Sequence, residues 1–128
     1  MAFHDIKIVG IDQGASQPTG EGAFYVMVLN LSPHPTSDWS DLFSMLWKQN
    51  MYMGKRNIET FGSKMNVRCV PNELEGGLLE EIKRIVVKTN GEYRSHIEAA
   101  EAQQQVAQDR KNEERQNIAN IASRLKFD

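Results

Sequence analysis

The chain has 128 residues, 40% of them hydrophobic and 25% charged, and its 15 basic and 17 acidic side chains give a formal net charge of −2. That length fits one domain able to bury its own core without disulfides or structural metal. A lone cysteine, Cys69, excludes a disulfide framework and any thiolate cluster and suits a reducing compartment, so a cytoplasmic location is expected.

No apolar run approaches the roughly 18–20 residues of a membrane span. Asp5 and Lys7 interrupt the only early apolar stretch, which reads as the absence of a signal peptide. A near-neutral balance argues against a general polyanion binder. The balance also hides an uneven chain. Residues 1–70 hold six basic and six acidic side chains, whereas residues 71–102 hold four basic and seven acidic. Residues 103–128 are rich in glutamine and asparagine and thin in apolar side chains. The expected organisation is a compact domain over 1–102 and a polar, helical or partly disordered extension over 103–128.

In chain order, Ile6–Ile11 is the first strand candidate. Ala23–Leu31 is the second and stronger one. Its alternation sends Tyr25, Met27 and Leu29 one way and Phe24, Val26 and Val28 the other, so both faces need cover. Between the strands, Gly10 to Gly22 reads as a long, mobile hairpin loop. Pro33 and Pro35 end the second strand, and Ser37 is the expected N-cap of a helix reaching about Gln49. Trp39, Leu42, Phe43 and Leu46 fall at i, i+3, i+4 and i+7, which predicts its buried face. A hairpin follows over Asn57–Phe61 and Met65–Val70, turning at Gly62-Ser63. A long helix then begins near Asn72, where Asn72 and Glu75 suit a capping box, or nearer Gly77. Asn90-Gly91 is its weak point, where a kink or break is conceivable.

The order β-β-α-β-β-α predicts an α+β, two-layer sandwich: a four-stranded antiparallel sheet with two helices on one face, a permuted ferredoxin-like arrangement. Such a likeness concerns architecture and brings no function with it.

Catalytic sets are hard to assemble from these residues. Cys69 points inward with Met65 and Val67, and no Gly-x-Ser-x-Gly elbow is present. His4, His34 and His96 lack second ligands at metal spacing, so no metal is expected. The glycine-rich loop leads into a strand and contains no Lys or Arg, which disfavours phosphate binding, and no cofactor is expected. The chain therefore reads as a non-enzymatic protein-interaction module, an accessory protein that self-associates, most simply as a dimer, and binds a protein partner. Phe24, Val26 and Val28 are the expected self-association face. Trp47, Tyr52 and Met53 are the expected partner contacts, with core packing as the competing reading for each.

The carboxy-terminal segment strengthens that reading. Ile97, Ala100, Gln104, Ala107, Lys111, Glu114, Ile118, Ile121 and Leu125 follow a heptad register that is apolar at both ends and polar through its middle. A helix with so little apolar face is marginal alone in water. Its tip, Ile118, Ile121 and Leu125, has the spacing of a docking helix. The alternative function is a nucleic-acid-binding accessory protein of a small phage or plasmid type, using Lys55, Arg56, Lys64 and Arg68 on one edge of the sheet. A third reading is an enzyme site completed between subunits, drawing on Asp12, Glu21, His34 and His96.

Overall fold

The computed structural model describes residues 3–50 and 56–126. Among them, five strands form one antiparallel sheet: β1 (Lys7–Ile11), β2 (Gln17–Pro18), β3 (Tyr25–Ser32), β4 (Ile58–Phe61) and β5 (Lys64–Cys69). Their order is β1-β3-β5-β4, with β2 also beside β3. The helices are α1 (Ser37–Gln49), a single turn α2 (Pro71–Glu73), a π turn over Leu74–Leu78, and α3 (Leu79–Arg124). The protein is thus α+β, an open antiparallel sheet with a long carboxy-terminal helix. The chain divides into two compact units, one up to Tyr93 and one from Arg94.

Register explains the burial. Met27 lies opposite Val67, Leu29 opposite Met65, and Tyr25 opposite Cys69. Strands alternate their side chains, so these residues share one face, and Leu29, Leu31, Met65, Val67 and Cys69 are all buried there. Against that face pack Trp39, Phe43, Leu46 and Trp47 of α1 and Ile82, Ile85 and Val86 of α3. The buried arc of α1 is therefore centred one residue later than the spacing predicted: Leu42 is half-buried and Trp47 is 3% exposed. Three rings at four-residue intervals form a stacked ladder, with centroids 5.7 Å apart for Trp39–Phe43 and 6.4 Å for Phe43–Trp47.

The first hairpin differs from the expectation in its strand count. Its connection is a hydrogen-bonded structure and includes the fifth strand, β2. Asp12 Oδ1 accepts from the Ala15 N–H at 3.2 Å. Ser16 Oγ donates to the Asp12 carbonyl at 2.8 Å and accepts from the Val28 N–H at 2.9 Å. Thr19 Oγ1 donates to the Phe24 carbonyl at 3.0 Å. Short polar side chains thereby supply the partners that a strand ladder supplies elsewhere. In β1, the register shifts between Ile8 and Gly10, a bulge that leaves Val9 outside the pairing.

The helix starts differ in detail. Thr36, one residue before the expected cap, accepts from the Trp39 N–H through its hydroxyl at 3.2 Å. At α2 the carboxylate of Glu73 accepts from the Val70 N–H at 2.9 Å, a role expected of Asn72 and Glu75. The alternative start near Gly77 matches the beginning of α3: Gly77 has φ of 118°, a conformation open to glycine, and it interrupts the helical path.

No break occurs at Asn90-Gly91, where α3 is continuous. Asn90 is 5% exposed and serves as a junction. Its Oδ1 accepts from the Ile6 N–H and from the Trp39 indole Nε1–H, both at 3.0 Å, and its Nδ2 donates to the Ile6 carbonyl at 2.8 Å. One side chain therefore joins the segment entering β1, helix α1 and helix α3. Next to it, Tyr93 meets Phe3 edge-on at 4.9 Å and shares a 2.9 Å hydrogen bond with Thr36.

Within the second unit, α3 runs on to Arg124, and every described side chain after Ile97 is exposed. Side-chain hydrogen bonds at i,i+4 link Gln105 to Asp109 at 3.0 Å and Gln116 to Asn120 at 3.1 Å. No helix of the described residues is long and apolar enough to cross a membrane.

Candidate functional site

The face of the sheet opposite the core carries Val26, Val28 and Asn30 on β3 and Lys64, Asn66 and Arg68 on β5, in paired register. Two carboxylates from the first hairpin connection reach this face. Asp12 pairs with Lys64 at 3.0 Å, and Glu21 pairs with Arg68. The Lys64 ammonium beside Asp12, reinforced by the Ala15 N–H, holds the Asp12 carboxyl below its usual range. The connection is thus fastened by charge on the face where a partner was expected. Val28 is 6% exposed, with its N–H on Ser16 and its carbonyl accepting from Asp12. Phe24 and Val26 are half-buried, and the Arg56 guanidinium lies 5.2 Å from the centroid of the Phe24 ring. The chain's own loop and Arg56 cover much of the surface formed by Phe24, Val26 and Val28.

The basic residues considered for nucleic acid are similarly engaged. Arg56 pairs with Glu73 at 3.0 Å, Lys64 with Asp12, and Arg68 with Glu21. The Glu73 carboxyl is lowered first by the Val70 N–H and then by Arg56. A phosphate backbone binds through cations it can neutralise, and these three already face carboxylates. Lys55 lies outside the described residues, as do Tyr52 and Met53.

Trp47, weighed between partner contact and core, is 3% exposed and packs in the core cluster. Its indole Nε1–H donates to the Arg56 carbonyl at 2.7 Å, so its polar edge is satisfied inside the fold. Beside it, α1 and the edge strand β4 border a groove of about 920 Å³. Ser37, Asp41 and Ser44 line one wall, and Glu59, Thr60 and Phe61 line the other. The lining is mostly polar, and Phe61 is its exposed aromatic residue.

Burial pushes the Cys69 thiol up to about 11, which keeps it protonated and unreactive at neutral pH. Asp12 and Glu21 are occupied by ion pairs, His34 lies against Gly62 in the turn between β4 and β5, and His96 is exposed on α3. Among the described residues, no group of three or more His, Cys, Asp or Glu side chains is placed to hold a metal ion.

The second unit contrasts with the first. Ile118 is 65% exposed, Ile121 43% and Leu125 54%; Ile118 and Ile121 lie along one side of α3, and Leu125, just past its last residue, donates its N–H to the Ile121 carbonyl at 3.1 Å. Sequence reasoning reached these three residues through their periodicity. It missed the Asn90 junction, whose only local signal is a position on the same helical face as Ile82, Ile85, Val86 and Tyr93. No family model, curated protein or solved structure matches this chain.

Proposed function

We propose that this chain is a non-enzymatic protein-interaction module that self-associates and binds a protein partner in the cytoplasm. The observation carrying this reading is the exposed row Ile118 and Ile121 on α3, with Leu125 just past its end, which its own unit leaves uncovered. Exposed apolar residues aligned on one side of a helix are the usual anchors of helix-mediated association. A contact segment beginning near residue 103 agrees with the polar composition beyond that point. The cytoplasmic assignment rests on the single unpaired cysteine.

The finer architecture belongs to the same reading. The order β1-β3-β5-β4, with core residues of α1 and α3 against one face, fits a ferredoxin-like sheet whose last strand has moved to the front. The assignment concerns topology alone.

Affinity capture from native lysate tests the partner half of the function. The full chain is compared with the full-length triple variant Ile118→Ser, Ile121→Ser, Leu125→Ser. Partners retained by the natural chain and lost by the variant are expected. Equal retention by both would overturn the role of this row.

A further inference from the structure

We infer that the helix of the second unit pairs with a second copy of itself in antiparallel orientation, about a two-fold axis between Lys111 and Glu114. This rests on the self-association reading above and replaces the β3 face with a different surface. In the heptad register, Gln104, Lys111, Ile118 and Leu125 occupy a positions, and Ala100, Ala107, Glu114 and Ile121 occupy d positions. Side-chain hydrogen bonds link Gln105–Asp109, Gln108–Asn112 and Gln116–Asn120, and all six residues lie off this seam. Lys111 and Glu114 lie on it. Among the described residues, neither has an ion-pair partner within the chain.

Orientation follows from charge. Parallel pairing sets a against a and d against d, so Lys111 would face Lys111 and Glu114 would face Glu114. The flanking g and e positions would add Arg110 against Arg115 on both sides. Antiparallel pairing sets a against d. With Lys111 opposite the second copy's Glu114, the same register places Ile118 opposite Ala107, Leu125 opposite Ala100, and Ile121 opposite Gln104. Large residues then meet small ones at two of these three layers, and the flanking pairs become Arg110 with Asn117 and Gln108 with Arg115. Every like-charge contact of the parallel form disappears. The contact is isologous, as a two-fold dimer requires. It extends over about 38 Å at 1.5 Å per residue from Ala100 to Leu125.

Sedimentation equilibrium on the full chain tests the inference across a concentration series. The natural chain is expected to dimerise. Lys111→Glu should weaken the dimer at least roughly tenfold, because two like-charge contacts replace two attractive ones. The double variant Lys111→Glu, Glu114→Lys should restore it, because the pair is only exchanged. Val106→Ala, off the seam, should change nothing. A parallel dimer would not be weakened by Lys111→Glu, since one like pair replaces another, and the double variant would only exchange its two like pairs. Circular dichroism and tryptophan fluorescence verify that each variant keeps its helix and its folded first unit. A natural dimer unaffected by Lys111→Glu would overturn the antiparallel seam while leaving self-association intact. Dissociation by Lys111→Glu without recovery in the double variant would also overturn it. A natural chain monomeric throughout would overturn both the seam and self-association, leaving the partner half to the capture experiment.

Discussion

Replacing Asn90 with alanine removes three hydrogen bonds from a buried site at once. The Ile6 N–H, the Trp39 indole N–H and the Ile6 carbonyl would each lose their partner. A buried polar group left unsatisfied costs about 1–3 kcal/mol, so three such groups set a range of roughly 3–9 kcal/mol. Water entering the vacated space lowers that figure, and alanine regains about 0.5 kcal/mol of helix propensity over asparagine. The expected loss is therefore about 3–5 kcal/mol, a large share of the roughly 5–15 kcal/mol available to a domain. Urea denaturation followed by tryptophan fluorescence reads it as a midpoint lowered by roughly 2 M at an ordinary m-value. Trp39→Phe removes one donor and leaves both bonds to Ile6, so its hydrogen-bond loss should be nearer about 1 kcal/mol. A loss below about 1 kcal/mol for Asn90→Ala would show that the junction is dispensable and refute the argument.

Three further outcomes follow from local chemistry. The Glu73 carboxyl is held below its ordinary value of 4.5, so its contribution is complete above that value and fades as pH falls through the lower folded-state value; the stability advantage of the natural chain over Glu73→Gln should shrink on acidification, and a difference constant with pH would refute this. Gly77→Ala should destabilise by roughly 1–2 kcal/mol because of its φ of 118°, whereas Gly91→Ala, with nothing within 4 Å of its added methyl, should stabilise by roughly 0.5–1 kcal/mol; thermal melts compare the two. Cys69, buried and shifted to about 11, should resist alkylation at pH 8 in the native chain and react once urea unfolds it, and rapid native labelling would contradict its placement.

The elements legible in the sequence are those whose signal is local and periodic. Met65, Val67 and Cys69 alternate, and the structure buries all three. The Trp39–Leu46 spacing locates α1, while its buried centre is displaced because Trp47 finds the Arg56 carbonyl, a partner that helical periodicity does not encode. The Gly10–Gly22 connection reads as mobile because its composition is that of a loop. Its order depends on Lys64 and Arg68, more than forty residues away. Asn90-Gly91 is read as a weak point by propensity, and burial against Ile6 and Trp39 reverses that reading. The Ile118–Leu125 row was the most accessible feature, since a helix displays its periodicity without help from distant residues.

The Asn90 junction also bears on the order in which the chain assembles. Ile6 and Asn90 are separated by 84 positions, so the segment leading into β1 is made long before the side chain that secures it. Contacts of such long range are costly to close and favour slower folding. The strands β3, β4 and β5 and helix α1 have nearer neighbours and can organise among themselves, while full attachment of the first segment waits for the middle of α3. A nascent chain halted before Asn90 should therefore leave its amino-terminal segment open to proteolysis, and extension past Asn90 should close it.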